Sequence, residues 1–495
     1  MDRKYILKLT AIALLLIGFG LTACETGDNH SFVPDAPSGP DVMQLVVNGE
    51  RYDVVLPASE SINLHTLNTE FSADIQILNV DAFKQISING QNVVDGRFSL
   101  PISKIGYTEK IKIVYAAGTQ LGTVTLNTLH NGIPPITSSG QAQIPGHFYL
   151  SFIWRPLIMK YDNDGQVVYY RYQPTDKAGT PEELGYWDFK KHVFNGKTYY
   201  SYHAPDPAFA DHAFTGYCPG MRILMDEHYT PVDTIHALRS LDGYLPDGAP
   251  LDGHDFYFFS PTHWIASASY IERESNGRKL AVGYLQEVDN GQVVFDWWST
   301  AHPEMLEWAS PIFDTSYDYV HFNAVDVLPD GNWLCSFRTI SSVVKIDSNP
   351  KGTGQILWRI DGESLSDAYS FYGQHYARFH PDNHTLTIFD NGNGHTPKHT
   401  RLLRLALNPD TGDISGEGDI MHDASGYFTV ACGAFQDYGG QGFVAGWGWS
   451  MTEGDNGRLV TEHTADGTEV FRLSHVSPNY LLNELNSSYR CVKYE

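Results

Sequence analysis

A turn followed by a strand recurs along most of this chain, and no other feature constrains its fold as tightly. The copies read DNDGQVVYYRY, DNGQVVFDWW, GTGQILWRI, TGDISGEG and ADGTEVFRL, with turn glycines at Gly165, Gly291, Gly354, Gly412 and Gly467. These glycines stand 126, 63, 58 and 55 residues apart, and the first interval is twice the second. A degenerate copy without the glycine, EHYTPVDTIHAL near residue 230, fills that gap, so the repeat has six units. A second turn-and-strand precedes most copies: NGKTYYSY, FFSPTHWIASAS, VLPDGNWLCSF, FHPDNHTLTIF and YGGQGFVAGW. Repeated short strands with few helical periodicities predict sheets packed radially around a channel. Aromatic residues make up 13% of the chain, enough to fill the interfaces between such sheets. The expected architecture is all-β: a six-bladed β-propeller over residues 137–495, closed by a strand from the piece Tyr480 to Glu495. Two fused sandwiches are the weaker alternative.

Ahead of the repeats, residues 42–136 carry their own hairpin signals, LVV-Asn48-Gly49-ERYDVV and QISI-Asn89-Gly90-QNVV, continued by IKIVY and TVTL. Asn-Gly between β-branched runs favours a tight hairpin, because both residues accept positive φ. A small N-terminal β-sandwich is expected here, ending at Pro134-Pro135. Residues 1–24 read as a signal peptide, with Arg3, Lys4 and Lys8 before the apolar run AIALLLIGFGL. Leu21-Thr22-Ala23-Cys24 resembles the lipobox of bacterial lipoproteins, which implies lipidation at Cys24. Residues 25–41, rich in Pro, Gly, Ser and Asp, form a flexible tether. The expectation is an exported lipoprotein on the bacterial outer membrane, facing the periplasm or the exterior, with the membrane met through the lipid anchor alone.

A net charge of −25 argues against nucleic acid as a partner, since phosphate binding needs clustered Lys and Arg. Cys218, Cys335, Cys432 and Cys491 are too widely spaced for a zinc site. A Cys432–Cys491 disulfide and four buried free thiols are both left open.

The residues suited to chemistry stand before the second element in three consecutive repeats. They are His254 in Gly-His-Asp-Phe, His321 in Tyr-Val-His-Phe-Asn, and His375 in Gly-Gln-His-Tyr. A lone histidine is commonly a hydrogen-bonded structural residue. Three in register across neighbouring repeats can instead converge on one mouth of the channel. Arg338 ends the strand that follows His321, in an apolar setting where a guanidinium needs an anionic partner from the protein or a substrate.

At these residues the sequence resembles the bacterial arylsulfate sulfotransferases. The stretches YDYVHFNAVDVLPDGNWLCSFRTISSVVKID, GQILWRIDG and GQHYARFHPDNHTLTIFDNGN carry the family's motifs in order, and TLHNGIPPI resembles its link between sandwich and propeller. The resemblance implies nucleotide-independent ping-pong transfer of a sulfuryl group from a phenolic sulfate ester to an acceptor phenol, with no cofactor. His375 corresponds to the nucleophile that becomes sulfohistidine. His321 and Arg338 correspond to sulfate-binding residues, His254 to the remaining active-site histidine, and Asn323 to a substrate-binding position. Phe337 replaces the family's serine before the arginine, Ala324 follows the asparagine, and the paired cysteines that some members carry before the nucleophile are missing.

Phe371, Tyr372, Tyr317 and Tyr319 lie close enough in sequence to stack on an aryl ring, although packing is the plainer reading. His380, His384, His395 and His399 read as surface residues. Asp326, Asp330 and Asp390 read as turn formers and strand-end caps. Rival functions are a ligand- or partner-binding propeller without catalysis, and a histidine-based metal-dependent hydrolase. Against the latter, an arginine beside a cation is unfavourable, and Asp255 is the one carboxylate that stands out. No metal is expected. Oligomeric state is open, a homodimer being one option.

Overall fold

The computed structural model describes residues 40–495 except 48–49, 59–61, 67–71, 102–109, 131–132, 135, 174–183, 210–215, 276, 350–351, 416–418, 424–425, 452–456 and 476–486. The signal segment, Cys24, all but the last two tether residues, the Asn48-Gly49 turn and Pro135 therefore lie outside the described residues. No helix among those described is long and apolar enough to cross a membrane.

The fold is all-β, with many four-stranded antiparallel sheets. In the N-terminal part, Val42–Val47, Glu50–Val55, Ser72–Ile77 and Arg97–Pro101 form one sheet. A second contains Ile62–Thr66, Gln85–Ile88, Gln91–Asn92, Lys110–Ala117 and Gln120–His130. Strict alternation explains why they face each other. In KIKIVYAA, residues Ile111, Ile113, Tyr115 and Ala117 are buried while Lys110, Lys112 and Val114 are exposed. The inward set meets Met43, Leu45, Ile75 and Ile77 of the other sheet in a single apolar core. Each fully buried isoleucine there contributes about 1.5–3 kcal/mol.

The repeats fold differently. Trp333–Phe337, Ser342–Ile346 and Thr385–Asp390 are buried along their whole length, because sheets cover both of their faces. Polar side chains are buried there along with apolar ones, among them Ser336, Ser342, Lys345, Thr385, Thr387 and Asp390. The turn before the outermost strand uses a left-handed residue, Gly165 at φ 73°, in the first copy. In the degenerate copy Tyr229 adopts φ 59° instead, stacked between Tyr169 at 3.7 Å and Tyr200 at 4.3 Å. Ring stacking offsets the backbone cost of a non-glycine there.

The first strands of five sheets are Trp187–Phe194, Phe256–Ser260, Phe322–Val327, His375–Phe379 and Ala434–Asp437. Each touches the next. The C-terminal strand Ser488–Tyr494 pairs with His147–Phe152 and touches both Ala434–Asp437 and Trp187–Phe194, so the contacts close on themselves. Ile136–Gly140, at the expected domain boundary, pairs with Glu469–His475 at the opposite end of the chain.

These inner strands enclose an ion network. Asp188 contacts Lys190 at 3.0 Å, Arg222 at 2.9 Å and Arg490 at 2.6 Å. Asp255 contacts Lys190 at 2.5 Å, Arg378 at 2.7 Å and Arg490 at 3.3 Å. Both carboxylates are held below their ordinary range: burial opposes ionisation, but the surrounding cations outweigh it. The four described cysteines other than Cys24 are buried and free, so the Cys432–Cys491 disulfide does not form.

Candidate active site

The three histidines occupy the heads of three successive inner strands. His375 opens His375–Phe379, His321 immediately precedes Phe322–Val327, and His254 stands two residues before Phe256–Ser260. All three are buried. His321 has φ 47°, a strained conformation for a non-glycine residue. Its ring stacks on Tyr217 at 4.8 Å and meets the His254 ring edge-on at 4.9 Å.

His254 Nδ1 lies 2.7 Å from Asp252 Oδ2, and His321 Nδ1 lies 2.5 Å from Asp318 Oδ2. Each Nδ1–H therefore donates to a carboxylate. The two Nε2 atoms face each other at 3.2 Å. That contact is a hydrogen bond only when one Nε2 carries a proton. Tyr217 donates its hydroxyl to the other oxygen of Asp318 at 2.5 Å. Burial pushes the His321 imidazolium down, and Asp318 resists.

His375 is held differently. Its Nδ1 lies 2.7 Å from Asn391 Oδ1, and its Nε2 accepts the Cys432 backbone N–H at 3.2 Å. Burial lowers its proton affinity well below the ordinary imidazole value, and the positive charge of Arg338 acts in the same direction. His375 is therefore a neutral ring with its lone pair on Nε2, the form a nucleophile requires. The charges of Arg338, His254 and His321 each oppose protonation of His375.

Arg338 follows Trp333–Phe337, and its backbone N–H donates to the His321 carbonyl at 2.9 Å. Its half-buried guanidinium lies 4.5 Å over the Phe313 ring and donates to the Val430 carbonyl at 3.3 Å. Its Nε is buried without a partner, and the described residues give Arg338 no ion pair with an aspartate. An anionic group on a substrate suits that vacant donor.

Residues 281–476 match the family model described as Arylsulfotransferase (ASST). This stretch is similar to that family. It contains His321, Arg338, His375 and Asn391, whereas His254 precedes it. No curated protein matches the chain significantly. Among solved structures, a protein of unknown function from Bacteroides caccae is 12% identical, covering 71% of this chain and 99% of that one at a TM-score of 0.40. A streptogramin B lyase is 10% identical, covering 70% and 88% at 0.33. The virginiamycin B lyase of Staphylococcus aureus is 9% identical, covering 69% and 99% at 0.31.

Other residues expected at this site take several places. Asn323 is buried and spends its amide N–H on the Gln374 carbonyl at 2.6 Å, which fixes the backbone leading into His375; its Oδ1 has no partner. Phe371 belongs to the apolar core, Tyr319 bonds Ser299, and Tyr317 bonds Glu272. Tyr372 is half-buried against His395. Asp255 does not accompany the histidines. It turns into the ion network, and the carboxylates at the site are Asp252 and Asp318. Asp390 caps the backbone at Tyr372 and Gly392, Asp330 caps Asn332, and Asp326 accepts from Val327 and Phe379. His384 is exposed, but His395 is not a plain surface residue: its Nε2 lies 2.7 Å from Asp390. Among the described residues no three His, Cys, Asp or Glu side chains group as a metal-binding set.

Proposed function

We propose that this protein is an aryl-sulfate sulfotransferase that moves a sulfuryl group from a phenolic sulfate ester to an acceptor phenol through sulfohistidine at His375. The single observation that carries the reading is His375 anchored at Nδ1 by Asn391, which leaves the lone pair on Nε2, with the paired His254 and His321 at the heads of neighbouring strands. In the first step Nε2 attacks sulfur, the N–S bond forms, and the S–O electron pair departs with the phenolic oxygen. A phenol has a pKa near 10, so that oxygen gains from the proton held between His254 and His321. Arg338 offers fixed donors to the sulfuryl oxygens, whose charge must be met by preorganised groups. In the second step an acceptor phenol gives its proton to the histidine pair and takes the sulfuryl group from Nε2. Asn323 supports the site through Gln374.

The scaffold of this reading is a six-bladed β-propeller preceded by an N-terminal β-sandwich. Supporting it are the closed sequence of inner-strand contacts and the core shared by the two N-terminal sheets. Export as an outer-membrane lipoprotein acylated at Cys24 remains part of the proposal on sequence grounds. Its partners are small aryl sulfates and phenols, with the membrane reached through the anchor; a homodimer is compatible with the reading.

The test is to incubate the purified protein with 4-nitrophenyl sulfate and follow intact mass and nitrophenol release, wild type against His375→Ala. A sulfuryl increment on wild type alone, with release accelerated by added phenol, supports the proposal. Absence of adduct and release across several aryl sulfates overturns it in favour of a binding propeller. Activity abolished by a chelator and restored by a divalent metal points to the hydrolase.

A further inference from the structure

Each of the three site histidines is anchored at Nδ1, but the anchors differ in charge. His254 and His321 donate to the carboxylates of Asp252 and Asp318, whereas His375 faces the uncharged amide of Asn391. The orientation of that amide is fixed independently of the histidine. Asn391 Nδ2 donates to the carbonyls of Thr429 and Cys432, both at 3.0 Å, so the atom left to face His375 is the acceptor Oδ1. Nδ1 of His375 must then carry the hydrogen. The Cys432 N–H pointing at Nε2 requires the same assignment from the opposite side of the ring. Cys432 presents that N–H from a left-handed turn, φ 65°, followed by Gly433 at φ 104°. A Cβ at Gly433 would fall 2.5 Å from the Phe389 ring, so the turn tolerates no larger residue there without displacement.

We infer that Asn391 is a positioning residue whose neutral amide both selects the His375 tautomer and keeps the sulfuryl group transferable. This rests on the sulfohistidine reading above. When Nε2 forms its bond to sulfur, the imidazole becomes cationic, and the Nδ1–H bond to its anchor strengthens. A carboxylate anchor would make that bond charge-assisted, roughly twice as strong as a neutral one. It would favour forming the intermediate and retard its discharge to the acceptor. Donor and acceptor are both phenols, so exchange between them is close to balanced, and an intermediate that is too stable slows turnover. An amide orients the ring without deepening that well. As Nε2 takes up sulfur it gives up the Cys432 N–H, which is then free to bond a sulfuryl oxygen in the same place.

The test has two arms on the full chain. In 15N-histidine-labelled wild type, the His375 Nδ1 signal should be that of a protonated nitrogen and the Nε2 signal that of an unprotonated one. In single-turnover measurements with 4-nitrophenyl sulfate, Asn391→Asp should transfer its sulfuryl group to phenol about tenfold more slowly relative to its loading than wild type does, so adduct accumulates. Protonation of His375 at Nε2, or an unchanged ratio of loading to discharge in the folded variant, overturns the inference. If Asn391→Asp does not fold, the wild-type nitrogen assignment still decides. Wild type that forms no adduct sinks the sulfohistidine reading itself; adduct formation with the wrong tautomer or an unchanged ratio sinks only the role of Asn391.

Discussion

The Nε2 atoms of His254 and His321 lie 3.2 Å apart, each on a ring whose other nitrogen is committed to an aspartate. On the proposed mechanism, one proton between them is delivered to a departing phenolate and recovered from an incoming phenol. The aspartates orient the rings, and Asp318 opposes the burial that pushes the His321 imidazolium down.

Asp318→Asn should therefore slow transfer in proportion to how much the leaving group needs a proton. With sulfates of weakly acidic phenols the loss should reach about 10²–10⁴-fold, the range for a general acid, and with 4-nitrophenyl sulfate far less. Rates plotted against phenol pKa check this; an equal loss across the series would mean that Asp318 only supports the fold.

The acid limb of kcat/KM should lie below the ordinary imidazole value of about 6.5. Protonating His375 removes its lone pair, so the rate falls as pH drops through its pKa, and burial has moved that pKa down. The same shift makes folding less favourable as pH falls below the unfolded imidazole value, because the unfolded chain takes up a proton that the buried ring refuses. Rate profiles and denaturant melts across the acid range measure the two effects separately.

Arg338→Lys should not restore what Arg338→Ala removes. The vacant Nε and the planar packing on Phe313 both depend on the guanidinium fork, which an ammonium lacks. Loss of one such donor costs roughly 10²–10³ in kcat. Steady-state kinetics of both variants would expose the error if lysine proved nearly as good.

Asp255→Asn should destabilise the protein by about 3–5 kcal/mol, the usual cost of leaving buried cations without their partner. Lys190, Arg378 and Arg490 all contact this carboxylate. Urea unfolding provides the measurement; a change below about 1 kcal/mol, the scale of an exposed pair, would show that the network is held by other contacts.

Much of this was visible in the sequence because it repeats. The histidines recur at the same place in successive units, and equivalent strand heads lie side by side in the structure. Their carboxylates were not visible, since Asp252 precedes its histidine by two residues and Asp318 by three. Asn391 lies within the stretch GQHYARFHPDNHTLTIFDNGN, but its role depends on the carbonyls of Thr429 and Cys432, about forty residues further along the chain. The ion network was hidden for a related reason: its six residues come from distant segments, and only the assembled ring reveals that they meet. The degenerate second copy lacked its glycine because Tyr229 takes the left-handed turn with support from two tyrosine neighbours.

The strand Ser488–Tyr494 completes a sheet begun by His147–Phe152, and Ser151 bonds the carbonyl of Arg490 across 339 residues of chain. Tyr489 of this late strand donates to the His254 carbonyl, and Arg490 reaches both Asp188 and Asp255. During vectorial synthesis the earlier units can pair locally, but this strand emerges after them. Such high contact order favours slow, cooperative closure. Catalytic competence should therefore switch on late and all at once, and a nascent chain arrested before residue 488 should contain every histidine of the site yet have no activity.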